Sequence, residues 1–242
     1  MSTIQTSTTL QTPAKVISTT RMERRRPKLA EQVAERIRRD IISGRLSQGA
    51  MVAEIPTARR LNVSRVPVRE ALLVLEQDGL LVSESNGRCR VRTLTNTDFH
   101  EIYGIRLMLE TTSFRLAALQ HTSADLKSLQ NNIRLMERAR SLHKVTLLDL
   151  EFHHQIMQIS RQSRLLHLWQ TMRSQVQLFT AILQREISVV ISSVRDVSLQ
   201  AHQACLQGIA SRDPDIAGRC ALEHLEPWQA WLRSTRPEGG VR

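Results

Sequence analysis

Two groups of residues in the 242-residue chain have types and spacings that do chemistry. One is cationic. In Ser64-Arg65-Val66-Pro67-Val68-Arg69, two arginines four residues apart open a helical pattern, so both leave the same face. Guanidinium forks at a helix start suit guanine O6 and N7 or phosphate oxygens. The other group consists of metal-ligating types. Asp149 and His153 lie one helical turn apart, while His202 and His224 each interrupt a mostly apolar stretch, where an imidazole is costly to bury without a partner. Three imidazoles and one carboxylate from three helices suit a divalent transition metal, zinc or a neighbour such as nickel, with positions left for water or an anionic ligand. Spacing leaves the plainer alternative open, in which Asp149 and His153 are an ordinary helix pair. His154 points roughly 100° away and belongs to neither arrangement.

The elements that must position the arginines read as a helix-turn-helix followed by a β-hairpin wing. Pro56 suits the first turn of a short helix with Ala58 and Leu61 as its apolar face. Asn62-Val63 makes the turn. Ser64 caps the next helix, Pro67 falls in its tolerant first turn, Val68, Ala71, Leu72 and Leu75 share one face, and Gly79 ends it. Asn86-Gly87 between Leu80-Leu81-Val82 and Cys89-Arg90-Val91-Arg92 is a hairpin signal, because a type I′ turn needs positive φ at both central residues. Gly87, Arg88, Arg90 and Arg92 then form a basic wing able to track phosphates or enter a minor groove. A first helix over 28–43, with Leu29, Val33, Ile37 and Ile41 on one stripe, supports the pair.

Charge agrees with this placement. Residues 1–92 hold 17 basic and 9 acidic side chains, against 17 and 14 in the remainder, so the basic excess travels with the helix-turn-helix. Cys89, Cys205 and Cys220 are an odd number without C-x-x-C spacing, so neither a disulfide framework nor a zinc finger is indicated and a reducing compartment fits. No stretch approaches a membrane span and no signal-peptide core opens the chain, so a cytoplasmic location is expected. Residues 1–27, with Arg24-Arg25-Arg26, and 235–242 read as disordered tails around a DNA-binding domain at 28–94 and an all-helical domain at 97–234.

That second domain shows apolar residues at spacings of three and four throughout and no alternating run. Helices are expected over 97–120, 123–142, 145–160, 162–186, 193–211 and 213–234. Thr95-Asn96-Thr97-Asp98, Ser123, Ser163 and Asp213-Pro214 supply starts. The fold class is mainly α, a three-helix winged module followed by a six-helix bundle.

Val63 to Leu72, followed by Leu75-Glu76-Gln77-Asp78-Gly79-Leu80, resembles the winged helix-turn-helix of the GntR family of bacterial transcription regulators. Arg106 to Glu110, Asp149 to His153, the His202 helix leading into Arg212-Asp213-Pro214, and His224 resemble the FCD effector domain of that family's FadR-type branch, with six helices as in its VanR subgroup. The resemblance implies that Asp149, His153, His202 and His224 hold a metal beneath a cavity for a small carboxylate, and that Arg106 lines the cavity. Arg106 either pairs with that carboxylate or forms a helix ion pair with Glu110. The chain departs from the family pattern at Ile55, at Ser160-Arg161-Gln162 in place of Ser-Gly-Asn, and at Arg88-Cys89-Arg90 in the wing.

The function expected is a homodimeric regulator, a repressor by resemblance, that binds a palindromic DNA operator under control of an organic acid effector. Two rivals are a regulator sensing the metal itself and a metallohydrolase fused to a DNA-binding domain. The second lacks a further carboxylate at catalytic spacing, so no catalytic residue is assigned.

Overall fold

The computed structural model describes residues 28–84, 88–188 and 194–235. The expected tails, apart from Thr235, and the Asn86-Gly87 turn lie outside the described residues.

The first module begins with α1 (Leu29–Ile42), which buries Val33, Ala34, Ile37 and Ile41. Leu29, placed on the same stripe by periodicity, is 50% exposed and stands outside the core. Helix α2 (Glu54–Leu61) ends at Asn62 in the left-handed region, φ 54°, a conformation that asparagine tolerates. Helix α3 (Arg65–Gln77) follows and buries Val68, Ala71, Leu72 and Leu75 against α1. Ser64 occupies the N-cap position with extended backbone, but its side chain makes no capping bond, contrary to the sequence reading.

The wing has three strands rather than two. A short β1 (Met51–Val52) pairs antiparallel with β3 (Cys89–Val91), which also pairs with β2 (Leu81–Ser83), giving the order β1-β3-β2. A strand of two residues carries no readable alternation, so periodicity could not reveal β1.

The helical half runs α4 (Asn96–Gln120), α5 (Ser123–Glu137), α6 (Leu142–Ile159), α7 (Ser163–Ser188), α8 (Val194–Ala210) and α9 (Pro214–Thr235). Two reciprocal caps set its first corners: Asp98 N donates to Thr95 Oγ1 at 3.1 Å, and Asp125 N to Thr122 Oγ1 at 3.2 Å. The cap of α5 is therefore Thr122, with Ser123 the first helical residue. Helix α5 stops at Glu137 rather than 142 because Ser141 caps α6, accepting from Lys144 N at 3.2 Å. Arg161, between α6 and α7, sits at φ 54°, which explains why glycine is usual there in the family pattern.

The two halves share one core. Phe99 of α4 meets Phe179 of α7 at 5.6 Å between ring centres, in a cluster that also holds Leu75, Leu80 and Ile41. Helix α7 reaches the DNA-binding module directly: Ser174 Oγ lies 3.3 Å from Asp78 Oδ2, and Arg185 donates to the Ile42 carbonyl. Gly79, at φ +72°, ends α3 beneath Gln175, whose amide would lie 2.7 Å from a Cβ at that position. Only glycine meets both demands without strain.

Candidate metal centre and nucleic-acid interface

Helix α6 supplies Asp149 and His153, α8 supplies His202, and α9 supplies His224. The packing of α4, α6, α8 and α9 brings these four together: one ligand atom from each lies within 4.8 Å of the others, and all four residues are buried. His153 Nε2 is 3.2 Å from His224 Nε2, and Asp149 Oδ1 is 3.2 Å from His202 Nε2 and 4.0 Å from His153 Nε2. Asp149 Oδ2 is buried without a hydrogen-bond partner.

The outward nitrogens explain the inward ones. His202 Nδ1 lies 2.6 Å from the Ser198 carbonyl, so that nitrogen carries a proton and Nε2 turns inward. His153 Nδ1 lies 2.8 Å from Glu110 Oε2, which leaves its Nε2 turned toward His224. Burial, with His202 and His153 as neighbours, pushes His224 well below the ordinary imidazole range, so it stays neutral. Burial works to raise the Asp149 carboxyl, but its close approach to His202 Nε2 and nearby positive charge, the Arg106 guanidinium included, outweigh it and hold Asp149 well below the usual carboxylate range. Inward nitrogen lone pairs and a carboxylate thus face one another in a space without water's dielectric, an arrangement that a divalent cation reconciles. Nitrogen with one oxygen is a donor set for zinc and its neighbours, not for calcium or magnesium. His154 faces away and Glu151 pairs with Arg173 at 3.1 Å, so neither joins the set.

Glu110 is the residue that sequence reasoning underrated. It entered only as a helix partner of Arg106, yet it bridges Arg106 Nε at 2.6 Å and His153 on another helix. Burial works to raise its carboxyl, but Arg106 and His153 overcome this and lower it to about 2. Arg106 is itself 1% exposed, and its Nη1 reaches Thr180 Oγ1 at 3.3 Å. The helix-pair alternative for Arg106 is therefore realised, and an entering carboxylate must share this guanidinium with Glu110. Trp169, fully buried with its ring 6.3 Å from that of His153, offers an indole N–H without a partner.

The cationic group lies at the other end of the molecule. Arg65 and Arg69 project from the start of α3 with side chains 59% and 67% exposed, beside exposed Ser64 and half-buried Pro67. With Glu54, Ile55 and Arg88 they line a concavity of about 390 Å³ between α2, α3 and the wing. Arg88 is exposed. Two wing arginines turn back instead: Arg90 pairs with Glu84 and donates to the Gly49 carbonyl at 3.1 Å, and Arg92 Nε donates to the Gly79 carbonyl at 2.8 Å. Gly87 lies outside the described residues. Cys89 is buried next to Ser83, and no helix of the described residues is long and apolar enough to cross a membrane.

A winged helix-turn-helix joined to an all-helical domain with a buried ligand set defines a class of DNA-binding regulator. The family models agree: residues 29–91 match "Bacterial regulatory proteins, gntR family", and residues 101–227, over half the chain, match "FCD domain". The chain belongs to the GntR family of transcription regulators, in its FadR-type branch with an FCD domain, and is not an enzyme. It is 27% identical to the "Probable D-xylose utilization operon transcriptional repressor" of Paenarthrobacter nicotinovorans, over 89% of this chain and 93% of that one. It is also 27% identical to the gluconate operon transcriptional repressor of Bacillus licheniformis, over 76% and 77%. In structure it is similar to E. coli McbR/YncC, with a TM-score of 0.72 at 22% identity, covering 86% of this chain and 99% of that one.

Glu110→Gln keeps the shape of the buried bridge and removes its charge. We expect it to lower the chain's affinity for zinc about 10- to 100-fold, measured by competition with a chromophoric chelator. Unchanged affinity would mean that His153 needs no carboxylate behind it.

Proposed function

We propose that the chain represses transcription from a DNA operator and is controlled by a small carboxylate metabolite bound beside a divalent metal held by Asp149, His153, His202 and His224. Residues 28–94 act as the DNA-binding domain and 97–234 as the effector-binding domain, in the cytoplasm where the operator is. The observation that carries this reading is the buried convergence of four metal-ligating groups, backed by the Arg106–Glu110–His153 chain. Zinc, or nickel, held by these four residues would supply Lewis acidity for an effector oxygen. Arg106 supplies fixed positive charge beside it, and Trp169 an indole donor. Repression is favoured by the names of the relatives, two of which are repressors of sugar or sugar-acid operons.

Arg65 and Arg69 take the base contacts in this reading, with Ser64, Pro67, Gly87 and Arg88 positioning the module on the backbone. Arg90 contributes to wing shape through Glu84 and Gly49 as much as to phosphate binding.

The operator-binding species is a homodimer. Helix α4 supports this because its outer face carries large exposed apolar side chains among its polar ones: Met108 is 64% and Leu119 55% exposed, and the space above Gly104 is open. Antiparallel pairing of two α4 helices about Met108 sets Glu101 opposite the partner's Arg115, a self-complementary contact of the isologous type. Met108→Asp is expected to turn a dimer into a monomer in analytical ultracentrifugation. A wild-type monomer, or a variant that stays dimeric, contradicts the pairing.

The effector reading is tested by measuring affinity for a duplex enriched by the protein from a randomised library, with metal-stripped and zinc-loaded protein, across a panel of small organic acids. An acid that shifts affinity tenfold or more only when zinc is present supports it, as coupling of roughly 1–3 kcal/mol is usual. A comparable shift from zinc alone, with no acid effective, replaces it by direct metal sensing.

A further inference from the structure

We propose that Glu54, the first residue of α2, is a positioning residue that holds Arg65 and Arg69 of α3 in the orientation that discriminates DNA bases. This rests on the assignment of those two arginines to base contact. The carboxylate bridges both side chains: Oε1 lies 3.2 Å from Arg69 Nε, while Oε2 lies 3.4 Å from Arg69 Nη2 and 3.5 Å from Arg65 Nη2. Among the described residues it is the one carboxylate within ion-pair reach of either arginine.

The edges engaged matter. On Arg69 the carboxylate takes the Nε/Nη2 side, leaving the end of the fork, with Nη1, to face outward toward a base. Burial is unequal in a useful sense. Both arginine side chains are more than half exposed, whereas Glu54 is 22% exposed and stands at a helix N-terminus, where the α2 backbone favours an anion. An anchored anion therefore restrains two long cations that packing leaves loose. Without it, each arginine must lose its rotamer freedom when the complex forms.

A negative charge also faces the concavity that Arg65, Arg69 and Arg88 line. It repels DNA phosphates without regard to sequence. Glu54 thus has two effects of opposite sign, raising discrimination between sequences while lowering electrostatic affinity for any sequence. A carboxylate that only stabilised α2 would change both affinities together.

The test uses full-length protein and two duplexes, one enriched by the wild-type protein from a randomised library and one scrambled from it, with affinities measured over a range of salt. Glu54→Ala is expected to cut the ratio of specific to scrambled affinity about tenfold. Affinity for the scrambled duplex should hold or rise, with a salt dependence steeper by about one ion. Glu54→Gln, of the same shape, should retain part of the ratio through its amide oxygen and keeps the test valid if the alanine variant loses helical circular dichroism. An unchanged ratio in both variants, or a parallel fall in both affinities, overturns the proposal. Arg65→Ala and Arg69→Ala separate the two levels: if they too leave the ratio unchanged, or the library yields no enriched duplex, the base-reading assignment itself fails and this proposal with it. If they lower the ratio while the Glu54 variants do not, the positioning role alone falls.

Discussion

The helical half depends on the electrostatic balance where α4, α6, α8 and α9 meet. Asp149, Glu110, Arg106 and three imidazoles are all taken out of water there, and charges so placed are tolerated only when each has a partner. Glu110 pairs with Arg106 on one side and lies against His153 on the other. Ser198 satisfies the outer nitrogen of His202. What these contacts leave over is a cluster of inward donors with a net need for positive charge. A cation bound there would join α6, α8 and α9 at one point, so that the packing of the bundle and the state of the site would be one problem.

The same bundle touches the DNA-binding module through a shared apolar core and through α7. That helix carries Trp169 and Thr180 near the ligand set, and Ser174, Gln175 and Arg185 against the ends of α3 and α1. Closely packed helices shift as bodies rather than deform continuously. A change around His153 therefore has a rigid route to the end of the helix that bears Arg65 and Arg69. Helix α4, which leads from the wing to Arg106, is a second route and the one that chain order suggests.

Local signals made much of this legible in the sequence. Helix periodicity, the Thr95–Asp98 box and Pro214 placed the bundle's elements, because each acts within one turn of chain. His202 and His224 stood out since a histidine on an apolar face needs a reason. Contacts between elements left no such trace. Glu110 looked like one half of a helix pair and Arg90 and Arg92 like free wing cations, while Glu54 gave no signal at all; their real partners are set by how helices and strands are juxtaposed. Met51–Val52 was invisible for a different reason, being too short to show a period. Ser64 had a cap's identity and position without a cap's hydrogen bond, and Leu29 lay on the right stripe but beyond the core.

The central claim is that Asp149, His153, His202 and His224 form one metal site. X-ray absorption spectroscopy at the zinc edge, on full-length protein loaded with one equivalent, tests it most directly. The account predicts imidazole nitrogens and carboxylate or water oxygen at roughly 2.0–2.2 Å, with no sulfur. Failure to retain a stoichiometric ion, or a sulfur shell at roughly 2.3 Å drawn from the nearby cysteines, would contradict it.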